Sequence, residues 1–461
     1  RARTRRPRTG RPPCAGRPRA PRRLRPRGRE AAETLKALVR VDTTNPPGRE
    51  AEAAAVLGAV LRKAGVPFEV VESSPGRANL VARLKGDGTK RPLLLLAHLD
   101  VVGAEAARWS FPPFSGDEEG GAVRGRGAVD DKGMAAAFAA VLADLARRKA
   151  PLKRDVVFAA TADEESGGAL GVGWLLAHRP ELLDAELAVN EGGTTFSSGG
   201  RVRLVAVQVA EKDYLDVTLT ARGAGGHASV PDPDNAILRL SRALARLDEW
   251  RPEPRLIAPT RETFAALRGL ETPELSAAFD DVLSEDEERV DRGAEALRER
   301  PYYGAMVWDT WSPTMVAGGV RENVHPSEAS VNLNVRLLPG STPEGFLAGL
   351  RAQLSDLGVE ASAGPSPGAT PPVMPLDGPF WTALRKAVEA RSPGAAVVPS
   401  LSVGTTDASA LRRRGLTVYG LEFPLSPEDQ SRIHGHDERM PLSALDYGTR
   451  LTADLVWELA R

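Results

Sequence analysis

His98 and Asp100 stand either side of Leu99, directly after the run Leu93-Leu94-Leu95-Leu96-Ala97. That run is apolar throughout, as a strand buried on both faces is. In open parallel sheets, functional groups gather just beyond the carboxyl ends of strands. A lone His-x-Asp also suits an ordinary polar loop, but three further acidic groups follow in comparable positions. Gly125-Arg126-Gly127-Ala128-Val129-Asp130-Asp131-Lys132-Gly133 is a glycine-rich turn running into a helix at Met134. Asp163-Glu164-Glu165 follows the strand-like stretch from Asp155 to Thr161, and Asn190-Glu191 follows the one from Ala185 to Val189. Carboxylates brought to one sheet edge repel one another unless a cation neutralises them. Cation binding is therefore the chemistry these residues suit.

A phosphate cradle is the competing reading of the glycine-rich turn, but two aspartates at its tip would repel an anion. A second competitor is purely structural: Asp130 or Asp131 serves as the N-cap of the following helix. The single cysteine, Cys14, lies far from these groups, so any metal must be held by His and carboxylates. Zinc accepts that donor set, and two metals about 3.5 to 4 Å apart can share a bridging carboxylate. Of the six histidines, His434 in Arg432-Ile433-His434-Gly435-His436-Asp437-Glu438 is placed to close a second metal's shell.

The elements that must position these residues read as an α/β chain. Its 461 residues exceed what one core usually organises, so two domains or more are expected. Residues 1–29 hold thirteen Arg and no acid, which leaves about −13 for the remainder of a chain of zero net charge. An arm so rich in Arg and Pro reads as disordered. From 30 to 213, strand and helix signals alternate as βαβ units, predicting a mostly parallel sheet with helices on both faces. At Leu215-Asp216-Val217-Thr218-Leu219-Thr220 the pattern changes to period two, the mark of a half-exposed antiparallel strand. Residues 214–370 are expected to form an inserted smaller α+β lid or dimerisation domain, and 371–461 to return to the first. Between Pro252 and Thr314 only charged helical segments are visible. No apolar run approaches the roughly 18 residues of a membrane span, and no signal-peptide pattern is seen, so the expectation is a cytoplasmic protein without membrane or nucleic-acid partners.

Together the motifs resemble, in order, those of the aminoacylase, glutamate carboxypeptidase, succinyl-diaminopimelate desuccinylase and carnosine dipeptidase family of metallopeptidase clan MH. The likeness runs from about Ala31 to the C-terminus and is nearest to the N-acyl amino acid hydrolase branch. It implies two Zn²⁺, with Co²⁺ or Mn²⁺ as substitutes. His98 and Glu191 would hold one metal, Glu165 and His434 the other, and Asp130 would bridge them. Asp100 would fix the His98 tautomer. Glu164 would be the general base, drawing a proton from a metal-bridged water and delivering it to the leaving nitrogen. Gly225-Gly226-His227-Ala228-Ser229 matches a lid histidine that stabilises the oxyanion, reaching the active site of a partner subunit in a homodimer. Arg336 would clamp the substrate carboxylate, with Asn323, Gly404 and Thr405 as further substrate contacts.

The implied activity is hydrolysis of an amide bond in N-acyl amino acids or short peptides with a free carboxylate. A dipeptidase or carboxypeptidase of the same family, or a non-catalytic binding homologue, is the alternative. The run Trp109, Phe111, Pro112, Pro113 and Phe114 is a candidate acyl-contact patch, with simple loop packing as the competing reading.

Overall fold

The computed structural model of the chain describes residues 26–365 and 370–461. The arm expected over 1–29 lies mostly outside the described residues. Its last four residues depart from that expectation, because the first helix, Pro26–Val39, begins inside it. Proline suits a first helical position. Arg27 meets Asp144 at 2.6 Å, so this end of the helix is tied to a neighbour.

Eight strands make the main path of a mixed sheet. They run in the order Phe68–Ser74, Arg77–Leu84, Val156–Thr161, Leu93–His98, Leu187–Glu191, Thr417–Leu421, Arg201–Glu211 and Ala396–Ser402. The four middle strands from Val156–Thr161 to Thr417–Leu421 are mutually parallel. Antiparallel pairs flank them, including Arg77–Leu84 against Val156–Thr161. The Leu93–His98 strand shows why its sequence is continuously apolar. Leu93, Leu95 and Ala97 enter one core, with the Lys132–Arg147 and Leu442–Ala460 helices, while Leu94 and Leu96 enter another, with Val172 and Leu175. Helices thus cover both faces, and the carboxyl ends of all four parallel strands open on one edge.

A second, four-stranded sheet is antiparallel throughout, in the order Thr310–Gly318, Glu328–Leu337, Asp213–Arg222, Val359–Ala363. Residues along Asp213–Arg222 and Glu328–Leu337 alternate between buried and half-buried, as period two requires. The Ala236–Glu249 and Pro343–Leu354 helices contribute to its core. Its edge strand Thr310–Gly318 is open, with Met315 71% and Val316 75% exposed.

The stretch unreadable as strands, Pro252 to Thr314, contains the helices Ala258–Leu267, Pro273–Val282, Glu287–Arg298 and Pro301–Ala305. They do not join the second sheet's core. Phe264, Phe279, Leu297 and Trp308 pack into the first core. The chain therefore crosses between the two cores four times rather than twice, and the crossings are bundled. The Lys212 ammonium donates to the carbonyls of Ala305 and Trp308 and to Thr310. Arg255 bonds Val307 through its backbone and Ser341 through its guanidinium. Asp309 accepts from the Leu338 N–H and from Ser341.

Candidate metal centre

The acids and histidines converge at the open edge of the parallel strands. Asp130 is the meeting point. Its Oδ1 lies 2.9 Å from His98 Nε2 and its Oδ2 lies 3.1 Å from His434 Nε2. Glu191, ending its strand, stands 3.7 Å from His98 Nε2, and Glu165 Oε2 stands 3.2 Å from His434 Nε2. His98, Asp130 and Glu165 present ligand atoms mutually within 4.8 Å, and so do His98, Glu164 and Glu191.

The electrostatics show a site short of positive charge. Burial, reinforced by the neighbouring carboxylates, pushes Glu164 and Glu191 well above the usual carboxylate range. Burial opposes ionisation of Asp130 too, but hydrogen bonding to His434 and His98 holds it well below that range. Hydrogen bonds to Asp130 and Glu165 raise His434 to about 10. Burial depresses His98, yet Asp100, Asp130 and Glu191 drive it well upward. Two buried carboxylate oxygens, Glu165 Oε1 and Asp131 Oδ2, have no hydrogen-bond partner. Two imidazoles and several carboxylates without a thiol suit divalent cations such as zinc, and the orphaned oxygens mark where positive charge is wanted. The residues present fit a metal centre.

Neighbouring turns hold these groups. Glu438, buried and only four residues past His434, accepts at Oε1 from the N–H groups of Val129 and Asp130 and at Oε2 from Gly127 N–H and Arg126. The glycine turn needs its glycines: Gly127 has φ +79, and a Cβ there would sit 2.5 Å from Val101. Asp131 makes no capping bond to the following helix, so the N-cap reading of this acid fails. The Asp100 carboxylate accepts the N–H groups of both Glu164 and Glu165 at 3.1 Å. His98 Nδ1 lies nearer the Asp100 backbone carbonyl, at 3.0 Å, than its carboxylate, at 3.5 Å. The Asp100 side chain is thus shared between His98 and the 164–165 turn. Burial of Lys132 lowers it to about 7, and its ammonium donates to the Val41 carbonyl.

Arg336 reaches this region from the second sheet. Its guanidinium bonds Thr405 and Asn334 and lies 4.8 Å over the Tyr214 ring. Gly404 adjoins it in the turn after the Ala396–Ser402 strand, its N–H bonding Ser402. His227 and Asn323 are not brought to the cluster. They lie on a small ribbon pairing Gly226–His227 with Val324–His325, where His227 faces Ser229 and the Asn323 carbonyl accepts from Ala228. The aromatic patch follows the packing alternative: Trp109 is 8% exposed beneath Arg126, and Phe111 stacks with Arg124. Glu438 was visible within the acidic run after His434, but nothing in its type distinguished it from a surface acid.

A mixed sheet whose parallel strands end in a His and carboxylate cluster, with a second sheet supplying a guanidinium, defines an α/β metallohydrolase. The chain belongs to peptidase family M20/M25/M40, which it matches over residues 94–458. It is 28% identical to the human N-fatty-acyl-amino acid synthase/hydrolase PM20D1 over 411 residues, covering 87% of this chain and 80% of that protein. It is 30% identical to succinyl-diaminopimelate desuccinylase of Methylocella silvestris over 439 residues, 92% of this chain and 97% of that one. Among solved structures, an M20 family metallo-carboxypeptidase from Sulfolobus solfataricus superposes with a TM-score of 0.70 at 19% identity, covering 93% and 99% of the two chains. Human carnosine dipeptidase 1 gives 0.63 at 17%, covering 94% and 97%. The protein is thus a metal-dependent hydrolase of amide bonds. Among the described residues no helix is long and apolar enough to cross a membrane.

Proposed function

We propose that this enzyme hydrolyses N-acyl amino acids or short peptides that carry a free carboxylate. The observation that supports the reading best is Asp130, whose two oxygens face His98 and His434 separately at 2.9 and 3.1 Å. In this reading His98, Glu191 and Asp130 hold one cation, and Asp130, Glu165 and His434 the other. Zinc suits the donors, with cobalt or manganese as substitutes. When bound, the pair supplies Lewis acidity toward the scissile carbonyl and lowers the pKa of water at the site.

The chain's own groups do the rest. Glu164 takes a proton from the attacking water and passes it to the leaving nitrogen. Its neighbour Glu165 faces His434, so the two adjacent glutamates occupy different environments and take different duties. Asp100 holds both through their N–H groups. Arg336, placed by Tyr214, Asn334 and Thr405, receives the substrate carboxylate, a task suited to a planar fork. Gly404 adds a substrate contact beside the guanidinium, and Asn323, which lies beside the His227 ribbon, joins it only from a partner subunit or a closed second sheet. His227 serves the oxyanion from a partner subunit or a closed second sheet, since its ribbon lies away from the cluster. That role fits a homodimer built through the open edge at Met315 and Val316. The domain reading that accompanies it is a split α/β unit, 30–213 with 371–461, and an insert within 214–370. We place the enzyme in the cytoplasm, which cell fractionation tests.

The N-acyl substrate class draws support from PM20D1 and the desuccinylase, whose names give acylated amino compounds. A screen of N-acyl amino acids and dipeptides with zinc-loaded protein should release free amino acid. Glu164→Gln should keep its metals and lose about 10² to 10⁴ of the rate, the usual worth of a general base. Full activity in that variant would refute the assignment.

A further inference from the structure

The turn bearing Glu164 and Glu165 leaves the sheet edge with two buried aspartates beneath it, Asp100 and Asp163. Neither is offset by a charge within the turn. Both are met from the N-terminal part of the chain. The Asn45 amide donates to Asp100 Oδ2 at 2.8 Å and to Asp163 Oδ1 at 3.0 Å. Arg77, 8% exposed, donates to Asp163 Oδ1 at 2.9 Å and binds Glu50 through two bonds of 2.7 and 2.8 Å. Asp163 in turn accepts Leu170 N–H, and its φ of +70 is the backbone reversal from which Glu164 departs. On the same strand as Arg77, Asn79 accepts from Ala162 N–H and donates to the Leu170 carbonyl. Gly48 covers the guanidinium: with φ +76, it would carry a Cβ 2.3 Å from Arg77 Nε. The cover leaves room for an arginine and for nothing larger than glycine.

We infer that Arg77 and Asn45 are positioning residues that hold the Glu164–Glu165 turn in register with the metal centre. Glu50 fixes the arginine, the arginine offsets the charge of Asp163, the neutral amide bridges Asp163 to Asp100, and the aspartates grip the turn by its backbone. Bond geometry sets the specificity of the device. Lysine offers no planar fork to bridge Glu50 and Asp163 together. The inference rests on the catalytic reading of Glu164 above and on the ligand reading of Glu165.

The test uses full-length Arg77→Lys, Arg77→Ala and, as the milder change, Asn45→Ala. A turn displaced by about 1 Å costs on the order of 100-fold in rate. We therefore expect kcat per folded molecule to fall about that far in the arginine variants, with KM little changed. Zinc titration against a chromophoric chelator supplies a readout independent of substrate. Of the proposed ligands only Glu165 is carried on this turn, so one of the two zinc equivalents should weaken about 10- to 100-fold, as loss of ligand support does, while the other stays put. Guanidinium ion at tens of millimolar should restore both quantities in Arg77→Ala and leave Arg77→Lys unmoved. Unchanged kcat and zinc binding in Asn45→Ala and Arg77→Lys would overturn the inference. So would activity that merely tracks the folded fraction and ignores guanidinium. If the wild type cleaved none of the screened amides while one zinc equivalent still weakened in the variants, the substrate reading would fall and the positioning role would stand.

Discussion

Replacing Glu438 by glutamine removes one charge and one acceptor from the turn that carries Asp130. The carboxylate serves four donors in two pairs, Arg126 with Gly127 at Oε2 and Val129 with Asp130 at Oε1. A carboxamide can serve only one pair. Its oxygen will stay with Arg126, because a charged donor makes the stronger hydrogen bond. The amide nitrogen then confronts the N–H groups of Val129 and Asp130. Each buried donor left unmet costs about 1 to 3 kcal/mol, and the turn will relax rather than bear both. Relaxation moves Asp130. Because that side chain faces both histidines, both zinc equivalents should weaken together, by about 10- to 100-fold or roughly 1.4 to 2.7 kcal/mol. Chelator competition at fixed pH on folded protein, checked by circular dichroism, measures this directly. Two equivalents bound with wild-type affinity would refute the reasoning, and loss of only one would place Asp130 on a single metal.

Further outcomes follow from the same geometry. Arg336→Lys keeps the charge but not the fork, so KM for carboxylate-bearing substrates should rise about tenfold or more, the worth of roughly one charged hydrogen bond, with kcat nearly unchanged; an unaltered KM would remove Arg336 from substrate binding. In metal-free protein His434 and His98 are both raised, His434 to about 10, so the folded state binds the additional protons. Their stabilisation is complete below about 6.5, the ordinary histidine value, and is lost as pH climbs through about 10. The urea midpoint of the metal-free protein should accordingly fall over that window and flatten when zinc is bound; a rising midpoint would contradict the charge assignment. In the proposed homodimer, Val316→Glu on the open edge strand should shift the sedimenting species toward monomer, and an unchanged sedimentation coefficient would exclude that edge as the contact.

What was legible in the chain follows from how each feature is written. His98, the Glu164–Glu165 pair and Glu191 each come straight after an apolar strand, so one local rule marks them all as neighbours at a sheet edge. The period-two pattern from Leu215 likewise announced the antiparallel sheet. Other features are relations between distant parts. Glu438 and Arg126 are separated by 312 positions, and Arg77 and Asp163 by 86, and charged pairs look like solvated surface until the fold brings them together. The helices between Ala258 and Ala305 display apolar positions, but an amphipathic helix does not state which of two cores will receive it. His227 sits in a glycine-rich ribbon whose distance from the cluster no spacing rule encodes.

The four bundled crossings between the two cores have a mechanical consequence. A unit joined by two free linkers swings in many directions, and a cut in either leaves it on a single flexible tether. Here Lys212, Arg255 and Asp309 lash the passages into a single stalk, so cleavage at one passage leaves the others bound to it. The base of the Arg336-bearing sheet is thereby restrained at every passage. A protease nicking the chain near Arg251 would yield two fragments that still travel as one body.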